Sequence, residues 1–135
     1  MEVLSSRLIH RCPDLGQAVA FWCDTVGLRI YREYGHDGER TGVVLFAGGG
    51  FLELTASGGV EVDGSDERPP CAVLWLQVND VDDEATRLTV AGVDVDGPRD
   101  EPWGLREAWL EDPFGLRVVL VEVPEDHPIR RRVEL

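Results

Sequence analysis

Hydrophobic and polar positions alternate with helical spacing in two stretches of the chain. The first opens at Asp14 and keeps apolar residues at helical intervals through Trp22 until Gly27. The second opens at Asp80, carries acidic residues in its first turn, where the helix dipole favours them, and ends at Gly92. Each stretch therefore predicts an amphipathic helix with an aspartate cap at its start and a glycine at its end.

Strand-like runs rich in β-branched and aromatic residues surround each helix. One run precedes each helix, at Ser6–Cys12 and at Ala72–Val78. Three runs follow each helix: Leu28–Tyr34, Gly42–Ala47 and Phe51–Thr55 in the first half, and Val93–Val95, Leu105–Glu111 and Leu116–Val123 in the second. The pattern predicts an α+β fold of two tandem β-α-β-β-β modules, module 1 over residues 4–56 and module 2 over residues 71–124.

Two segments lack this patterning. Residues 57–70 are rich in Gly, Asp, Glu and Pro, which predicts a solvent-exposed linker. The tail, residues 125–135, is charged, interrupted by proline and contains Arg130–Arg132, and we interpret it as a loosely held extension rather than a functional basic patch. At 135 residues the whole chain is expected to form a single domain.

Composition narrows the functions that the chain can serve. A net charge of −13 repels polyanions, so we expect no nucleic-acid partner. Neither an apolar run of membrane-spanning length nor an export signal can be recognised, which predicts a cytoplasmic protein with no membrane partner. The three cysteines lack C-x-x-C spacing and are interpreted as buried thiols rather than disulfides or zinc ligands.

Short motifs add to the repeated pattern. The first helix reads D-L, then F-W, then G-L between Asp14 and Leu28, and the second half contains P-W-G-L-R at Pro102–Arg106 and D-P-F-G at Asp112–Gly115. In their order and spacing these motifs resemble those of the vicinal-oxygen-chelate superfamily, in particular its glyoxalase, bleomycin-resistance and dioxygenase members. The resemblance covers roughly residues 4–123. It implies that the two modules form a cupped mixed sheet with the helices packed on the outside.

The resemblance also implies where a metal would bind. Catalytic members of the superfamily place up to four His, Glu or Gln ligands on the concave face, and the matching positions here are Arg7, Glu53, Val73 and Val119. Arginine stays protonated and valine has no donor atom, so we expect no metal and no other cofactor. His10 would become a ligand only if the strand register slipped by one, and strand alternation favours a core or helix-packing role instead.

Strand alternation predicts which side chains share the concave face. The expected ligand-binding residues are Arg7, Arg11, Phe51, Glu53, Val73, Trp75, Gln77 and Val119, joined by Trp103 and Arg106 from the W-G-x-R motif. Ile9, Thr55 and Val121 fall on the same face by the same alternation. Apolar walls with a few polar anchors are typical of pockets for organic ligands. The alternative is a cup filled by its own side chains, with Arg7 or Arg11 paired to Glu53.

Two functional hypotheses follow from this face. The first is a metal-independent small-molecule-binding protein that sequesters an aromatic or antibiotic-like ligand in the cup or in a homodimer crevice, as in the bleomycin-resistance proteins that the chain resembles. The second is a glyoxalase-like lyase or isomerase, or a dioxygenase, that uses Glu53 as the catalytic base beside Arg7 or Arg11. The sequence favours binding, because it shows neither a metal-ligand set nor a nucleophile paired with a histidine. It does not identify the ligand.

Overall fold

The repeated β-α-β-β-β order is present in the computed structural model, which describes residues 1–56 and 72–132. The elements are β1 (Arg7–Cys12), α1 (Leu15–Val19) continued by a π-helical segment (Ala20–Val26), β2 (Ile30–His36), β3 (Glu39–Ala47), β4 (Gly50–Ala56), β5 (Val73–Gln77), α2 (Val81–Val90), β6 (Asp96–Asp100), β7 (Arg106–Glu111) and β8 (Arg117–Glu122). The predicted linker, residues 57–70, lies outside the described residues, as do Cys71 and residues 133–135.

The described chain divides into two compact units. The first unit contains residues 1–56 and 112–115, and the second contains residues 72–111 and 116–132. Each unit holds one four-stranded mixed sheet, with strand order β1-β4-β3-β2 in the first and β5-β8-β7-β6 in the second. The outer pairs β1–β4 and β5–β8 are parallel. In both pairs the pairing begins at the first residue of the opening strand, where Arg7 pairs with Phe51 and Val73 with Arg117. Two sheets of one design confirm the predicted α+β fold.

Both helices start and end where the sequence predicts. Asp14 and Asp80 each accept a hydrogen bond from the backbone N–H three residues later, at 3.0 Å in both cases, which satisfies a donor that the first turn leaves unpaired. Gly27 and Gly92 end the helical segments with positive φ, a conformation that favours glycine. The π-helical continuation of α1 was not predicted. Within residues 1–56 and 72–132, no helix is long and apolar enough to span a membrane.

Each helix packs on one face of its own sheet. In the first unit, buried residues of the helical segment face buried residues of β3 and β4: Leu15, Ala18 and Trp22 against Val43, Leu45, Leu52 and Leu54. In the second unit the corresponding residues are Val81, Ala85 and Leu88 against Ala108, Leu110, Val118 and Leu120. Burial of these apolar side chains is the main favourable contribution to folding of each unit.

The second strand of the second unit, which follows α2, does not lie where the sequence predicts it. Val93–Val95 was expected to be a strand, but the strand is β6, Asp96–Asp100, which pairs with β7. Val93 instead donates its N–H to the Leu88 carbonyl oxygen at 3.0 Å as the helix ends. Because β6 lies at the sheet edge, it is held by backbone hydrogen bonds and does not require the apolar side chains that the sequence pattern selects.

Candidate functional site

Strand β1 exposes one side of its sheet and buries the other. Arg7, Ile9 and Arg11 are exposed, whereas His10 is half-buried and Cys12 is fully buried. The parallel register places Arg7 beside Phe51 and Ile9 beside Glu53 on β4. The predicted alternation of β1 is therefore the observed one, and the side of the sheet away from the helix carries Arg7, Arg11, Phe51 and Glu53.

Glu53 is fixed on this side of the sheet by two donors. Arg7 Nη1 lies 2.6 Å from Glu53 Oε1, and the Tyr34 hydroxyl donates to Oε2 at 3.1 Å. The Glu53 side chain retains only 13% of its accessible surface, against 38% for Arg7. The Tyr34 ring lies over Gly42, where an added Cβ would come within 2.0 Å of the ring, so this position has no room for a side chain. Both carboxylate oxygens are thus engaged within the unit.

Three aromatic rings lie next to this ion pair. The ring centroids of Tyr31, Phe46 and Phe51 are separated by 5.0 to 5.7 Å, and the Arg7 guanidinium lies 5.9 Å from the Phe51 centroid. Tyr31 and Phe46 keep 51% and 46% of their surface exposed. We call the surface formed by Arg7, Ile9, Tyr31, Phe46, Phe51 and Glu53 the first-unit face. It combines exposed aromatic area with one fixed pair of opposite charges.

Sequence reasoning missed part of the first-unit face. Phe51 and Glu53 follow simple alternation, but Tyr31 does not, because the β2–β3 register shifts between Ile30 and Arg32. That irregularity places Tyr31 against the rings of Phe46 and Phe51. A bulge of this kind leaves no clear mark in the pattern of hydrophobic residues. Phe46 could have been found by continuing the alternation along β3, because it pairs with Phe51.

The second unit has its own open face, on the side of the sheet away from α2. Val73 and Trp75 are 42% and 44% exposed there, and Trp75 pairs with Val119 of β8. Val119, however, is only 3% exposed and packs in a cluster with Leu105, Val121 and Val123, against which Trp109 also lies. The expectation that Val119 lines an accessible surface is therefore wrong, because side chains of the same unit cover it. We call Val73, Trp75, Gln77 and Trp109, which lie on this side of the sheet above the buried Val119, the second-unit face.

The tail is attached to this face at Gln77. Gln77 Nε2 donates to the Arg131 carbonyl oxygen and Gln77 Oε1 accepts from the Arg131 N–H, both at 3.0 Å. Arg130 also donates through its guanidinium to the Val123 carbonyl oxygen. The described part of the tail, which the sequence predicts as a loosely held extension over residues 125–135, thus makes specific contacts at Arg130 and Arg131. Sequence patterning does not reveal the two contacts at Arg131, because the tail contributes only backbone atoms to them.

The two residues taken from the W-G-x-R motif have different surroundings. Trp103 is 58% exposed and donates through Nε1 to the buried Glu107 carboxylate at 2.6 Å. Arg106 pairs with Glu122 across the strands, on the helix-facing side of the sheet, and its guanidinium binds Asp82 of α2 at 2.8 Å. Arg106 is therefore on the side opposite Val119, where it connects helix and sheet, and it does not contribute to the second-unit face.

A surface cavity of about 410 Å³ lies at the edge of the second-unit face. Its lining residues are Asp94, Asp96, Trp109, Leu110, Glu111 and Arg117. The Arg117 guanidinium lies 4.8 Å from the Trp109 centroid, so one face of this indole already carries a cation from the same chain. None of these residues was among the predicted ligand-binding set, although Trp109 shares the strand alternation of Val119.

His10 lies on the helix-facing side of β1 and binds a buried carboxylate. Its Nε2 is 2.6 Å from Asp112 Oδ2, which also accepts from Trp22 Nε1 at 3.2 Å. Asp112 Oδ1 accepts from the Phe114 N–H at 2.9 Å. Burial by itself lowers the pKa of the imidazole, but the hydrogen bond to Asp112, with smaller contributions from Cys12 and from the Asp112 charge, outweighs burial and raises the pKa of His10 from 6.5 to about 9. The D-P-F-G motif thus supplies a buried anion as well as a turn.

The positions implied for a metal do not offer a suitable donor set. In the first unit, the Arg7 guanidinium lies on one oxygen of Glu53, the single carboxylate among the four positions. In the second unit, Val73 and Val119 have no donor atoms. Divalent transition metals are held by several His, Cys or carboxylate ligands. Arg7 supplies a permanent cation where the family's catalytic members place a ligand.

A group of three carboxylates in the second unit is explained by the start of α2. Asp80, Asp82 and Glu122 lie within 4.8 Å of one another. Asp80 caps the helix, Glu122 accepts from the Val81 N–H at 3.0 Å, and Asp82 binds Arg106. All three therefore have partners within the unit, and their proximity follows from capping and from the ion pair.

Comparisons with known proteins match the chain to one family model and to several solved structures. A family model described as Glyoxalase/Bleomycin resistance protein/Dioxygenase superfamily matches residues 6–120. Similar solved structures include TnmS3, an antibiotic binding protein from Streptomyces sp. CB03234, at 28% identity over 92% of this chain and 100% of that chain with a TM-score of 0.63. A superfamily member from Sphaerobacter thermophilus DSM 20745 is 26% identical over 90% of this chain and 98% of that chain, with a TM-score of 0.69.

A third structure, TioX from Micromonospora sp. ML1, is 24% identical over 89% of this chain and 98% of that chain, with a TM-score of 0.72, and shows the shared fold. No protein of curated function matches the sequence. The family model covers most of the chain, and the duplicated sheets agree with it. The chain therefore belongs to the Glyoxalase/Bleomycin resistance protein/Dioxygenase superfamily.

Proposed function

We propose that the protein is a metal-independent small-molecule-binding protein that takes up an aromatic, antibiotic-like ligand. The observation that carries this proposal is the first-unit face, where the exposed rings of Tyr31 and Phe46 and the half-buried ring of Phe51 lie beside the Arg7–Glu53 ion pair. Exposed aromatic area with a few fixed polar groups is what recognition of a planar organic molecule requires.

The physical basis of binding is stacking combined with charge. An aromatic ligand that stacks on Phe46 or Phe51 gains about 0.5–1.5 kcal/mol beyond the burial of its surface. Arg7 and Glu53 present opposite charges to the same ligand, and Tyr34 holds Glu53 in place, so little ordering is required when the ligand arrives. TnmS3, which is described as an antibiotic binding protein, supports this choice of ligand class.

Binding is favoured over catalysis by the contacts of Glu53. Both of its oxygens already accept hydrogen bonds, from Arg7 and from Tyr34. These two bonds hold the carboxylate in one orientation, which is the role of a polar anchor in a binding pocket. Arg7 also supports a metal-free site, because its permanent cation is bonded to Glu53, the single carboxylate among the four implied ligand positions.

Isothermal titration of the full-length protein with planar aromatic compounds of both charge signs tests the proposal. At least one compound should bind saturably to the wild type. Phe46→Ala should lower the affinity for that compound by roughly 3- to 10-fold, because one stacking contact is lost. Val90→Ala is the matched control, because Val90 is an apolar residue of α2 with 84% exposure and lies outside the first-unit face. If no compound binds, or if both variants have equal effects, this function is wrong.

We further propose a homodimer, in which paired copies cover sheet edges and exposed apolar residues such as Ile30 of the edge strand β2. Sedimentation equilibrium at micromolar concentration should then report twice the chain mass of 15.0 kDa. A mass of one chain across that concentration range would remove the homodimer crevice as a ligand site, and would leave the first-unit face as the place where ligand could bind.

A further inference from the structure

The side-chain amide of Gln77 contacts both backbone groups of a single residue. Its Nε2 donates to the carbonyl oxygen of Arg131, and its Oε1 accepts from the N–H of the same residue, with both distances at 3.0 Å. One amide thus satisfies one donor and one acceptor of the tail. Neither bond involves the arginine side chain, so the contact recognises the peptide backbone and not the residue type.

This pair of bonds has the form of strand pairing. In an antiparallel sheet, a hydrogen-bonded pair of residues exchanges one N–H and one C=O in each direction. Gln77 supplies the same donor and acceptor from its side chain, and it does so on the open side of β5, because it follows Val73 and Trp75 in strand alternation. Peptides that add to a sheet edge gain affinity through such backbone bonds. Gln77 therefore offers a docking point for a peptide chain next to an exposed indole.

The described part of the tail is joined to the second unit by the two bonds between Arg131 and Gln77 and by the bond from the Arg130 guanidinium to the Val123 carbonyl oxygen. Further bonds lie within the tail itself. The His127 N–H donates to the Pro124 carbonyl oxygen at 3.0 Å, and the Arg132 guanidinium donates to the Glu125 carbonyl oxygen at 3.1 Å. Arg131 itself is exposed. A chain end held by a small number of hydrogen bonds, with its apolar residue Ile129 half-exposed, opens at a small free-energy cost. The tail can therefore leave Gln77 without unfolding of the second unit.

We propose that Gln77 is a recognition site for the backbone of a peptide-type ligand, and that Arg131 of the chain's own tail occupies this site until such a ligand displaces it. The proposal names a ligand chemistry for the second-unit face. Recognition of a peptide backbone by Gln77 is independent of the proposed small-molecule-binding function, and only the biological use of the site rests on that function. An amide-rich molecule with an aromatic group would meet Gln77 and Trp75 together.

Hydrogen exchange at the Arg131 amide tests whether Gln77 holds the tail. In the full-length protein, Gln77→Leu removes both bonds with little change in size, and exchange at Arg131 should accelerate by on the order of tenfold. Gln77→Glu keeps the acceptor for the Arg131 N–H and should accelerate it less. Gln17→Leu is the matched control, since Gln17 is exposed on α1 and its side chain makes no hydrogen bond within the described residues. Equal exchange in wild type and Gln77→Leu overturns the proposal.

A synthetic peptide that copies residues 126–132 tests recognition of the backbone. Added to the full-length protein at millimolar concentration, where it can compete with the tethered tail, it should speed exchange at the protein's own Arg131 in a saturable way. The same peptide with an N-methyl group on the residue that copies Arg131 lacks the donor to Gln77 Oε1, and it should have no such effect. If both peptides act equally, or neither acts, Gln77 does not recognise a peptide backbone.

These outcomes are separable from failure of the proposed function. The aromatic titration reports on Phe46 in the first unit, whereas the exchange measurement reports on Gln77 in the second. Aromatic compounds that fail to bind, together with saturable displacement by the unmodified peptide alone, would exclude the aromatic ligand and leave the peptide site. The reverse pattern would exclude the peptide site and leave the aromatic face.

Discussion

The imidazole Nε2 of His10 lies 2.6 Å from Oδ2 of Asp112, a carboxylate whose side chain has no exposed surface. Asp112 is at the start of the D-P-F-G turn, and both residues belong to the first unit. The same oxygen accepts a bond from Trp22, which is fully buried. A buried anion is tolerated only when its neighbours compensate its charge, and here a histidine and an indole N–H do so.

Asp112→Asn should therefore destabilise the protein by about 2–4 kcal/mol, because it removes the charge that holds the His10 imidazolium and disturbs the bonds to Trp22 and to the Phe114 N–H. Urea unfolding followed by circular dichroism measures this loss. Asp126→Asn, an exposed aspartate of the tail, should change stability by less than about 0.5 kcal/mol. A loss of similar size in both variants would show that His10 and Asp112 are not coupled in the fold.

Stability should also depend on the protonation of His10. Its pKa is raised from 6.5 to about 9 in the folded protein, so the folded state holds the proton more tightly than the unfolded state does. The stabilisation is fully present below about pH 6.5 and is lost as pH rises toward 9, with a total change of at most about 3 kcal/mol. Unfolding curves recorded across this interval should show the decline in wild type and in His36→Gln, and a much flatter profile in His10→Gln.

The charge of a bound ligand should be revealed by Glu53→Gln. A cationic aromatic ligand on the first-unit face should bind more weakly by roughly 1–3 kcal/mol if its contact with the carboxylate is buried. An anionic ligand held by Arg7 should bind equally well or better, because Glu53 no longer competes for the guanidinium. Calorimetric titration of the wild type and of Glu53→Gln, each with one cationic and one anionic ligand, distinguishes these results. An equal effect on both ligands would place the binding surface elsewhere.

Replacement by phenylalanine should affect stability differently at two tryptophans, the exposed Trp75 and the buried Trp22. Trp75 is 44% exposed on the second-unit face, so Trp75→Phe should leave thermal stability nearly unchanged and should remove most of any fluorescence change caused by a ligand there. Trp22 is fully buried, packs edge-on against Phe21 at 5.2 Å and donates to Asp112. Trp22→Phe should cost about 1–3 kcal/mol through the lost bond and the space left behind. A large stability loss in Trp75→Phe would instead mean that its indole fills the core.

Purified protein should hold no stoichiometric transition metal. Arg7, Val73 and Val119 stand at three of the four ligand positions that the family implies, and none of them offers a lone pair to a cation. Elemental analysis after dialysis, with and without added zinc, nickel, iron or manganese, measures the content. One tightly bound ion per chain would require a different set of ligands and would overturn the metal-independent function.

The sequence predicted the features that depend on local pattern, and missed those that depend on backbone contacts. The helix caps at Asp14 and Asp80 were recognisable because a cap is a short-range interaction between one side chain and the next turn. The burial of His10 followed from strand alternation. Its partner Asp112 was not recognisable, because the contact spans most of the chain and the motif around it already had an explanation as a turn.

The candidate site was predictable to a similar degree. Arg7, Phe51 and Glu53 meet as alternation on β1 and β4 predicts. Tyr31 joins them only through the register shift in β2. Gln77 was placed on the correct side of its sheet, but its partner was not foreseeable, because Arg131 contributes backbone atoms that any residue would supply. Val119 lies on the expected side yet is covered, which depends on how Leu105 packs.

The parallel pairing of first and last strands has a consequence for how fast the chain folds. Among the described strands, the first strand of each unit pairs with the strand that comes last in that unit's sequence, as Arg7 does with Phe51 and Val73 with Arg117. The β2–β3–β4 and β6–β7–β8 meanders pair neighbours in sequence and can form early. The parallel pairs must wait for a long loop to close, and contacts of high sequence separation slow folding. Each half of the duplicated chain should therefore fold with its own late step, the docking of its N-terminal strand.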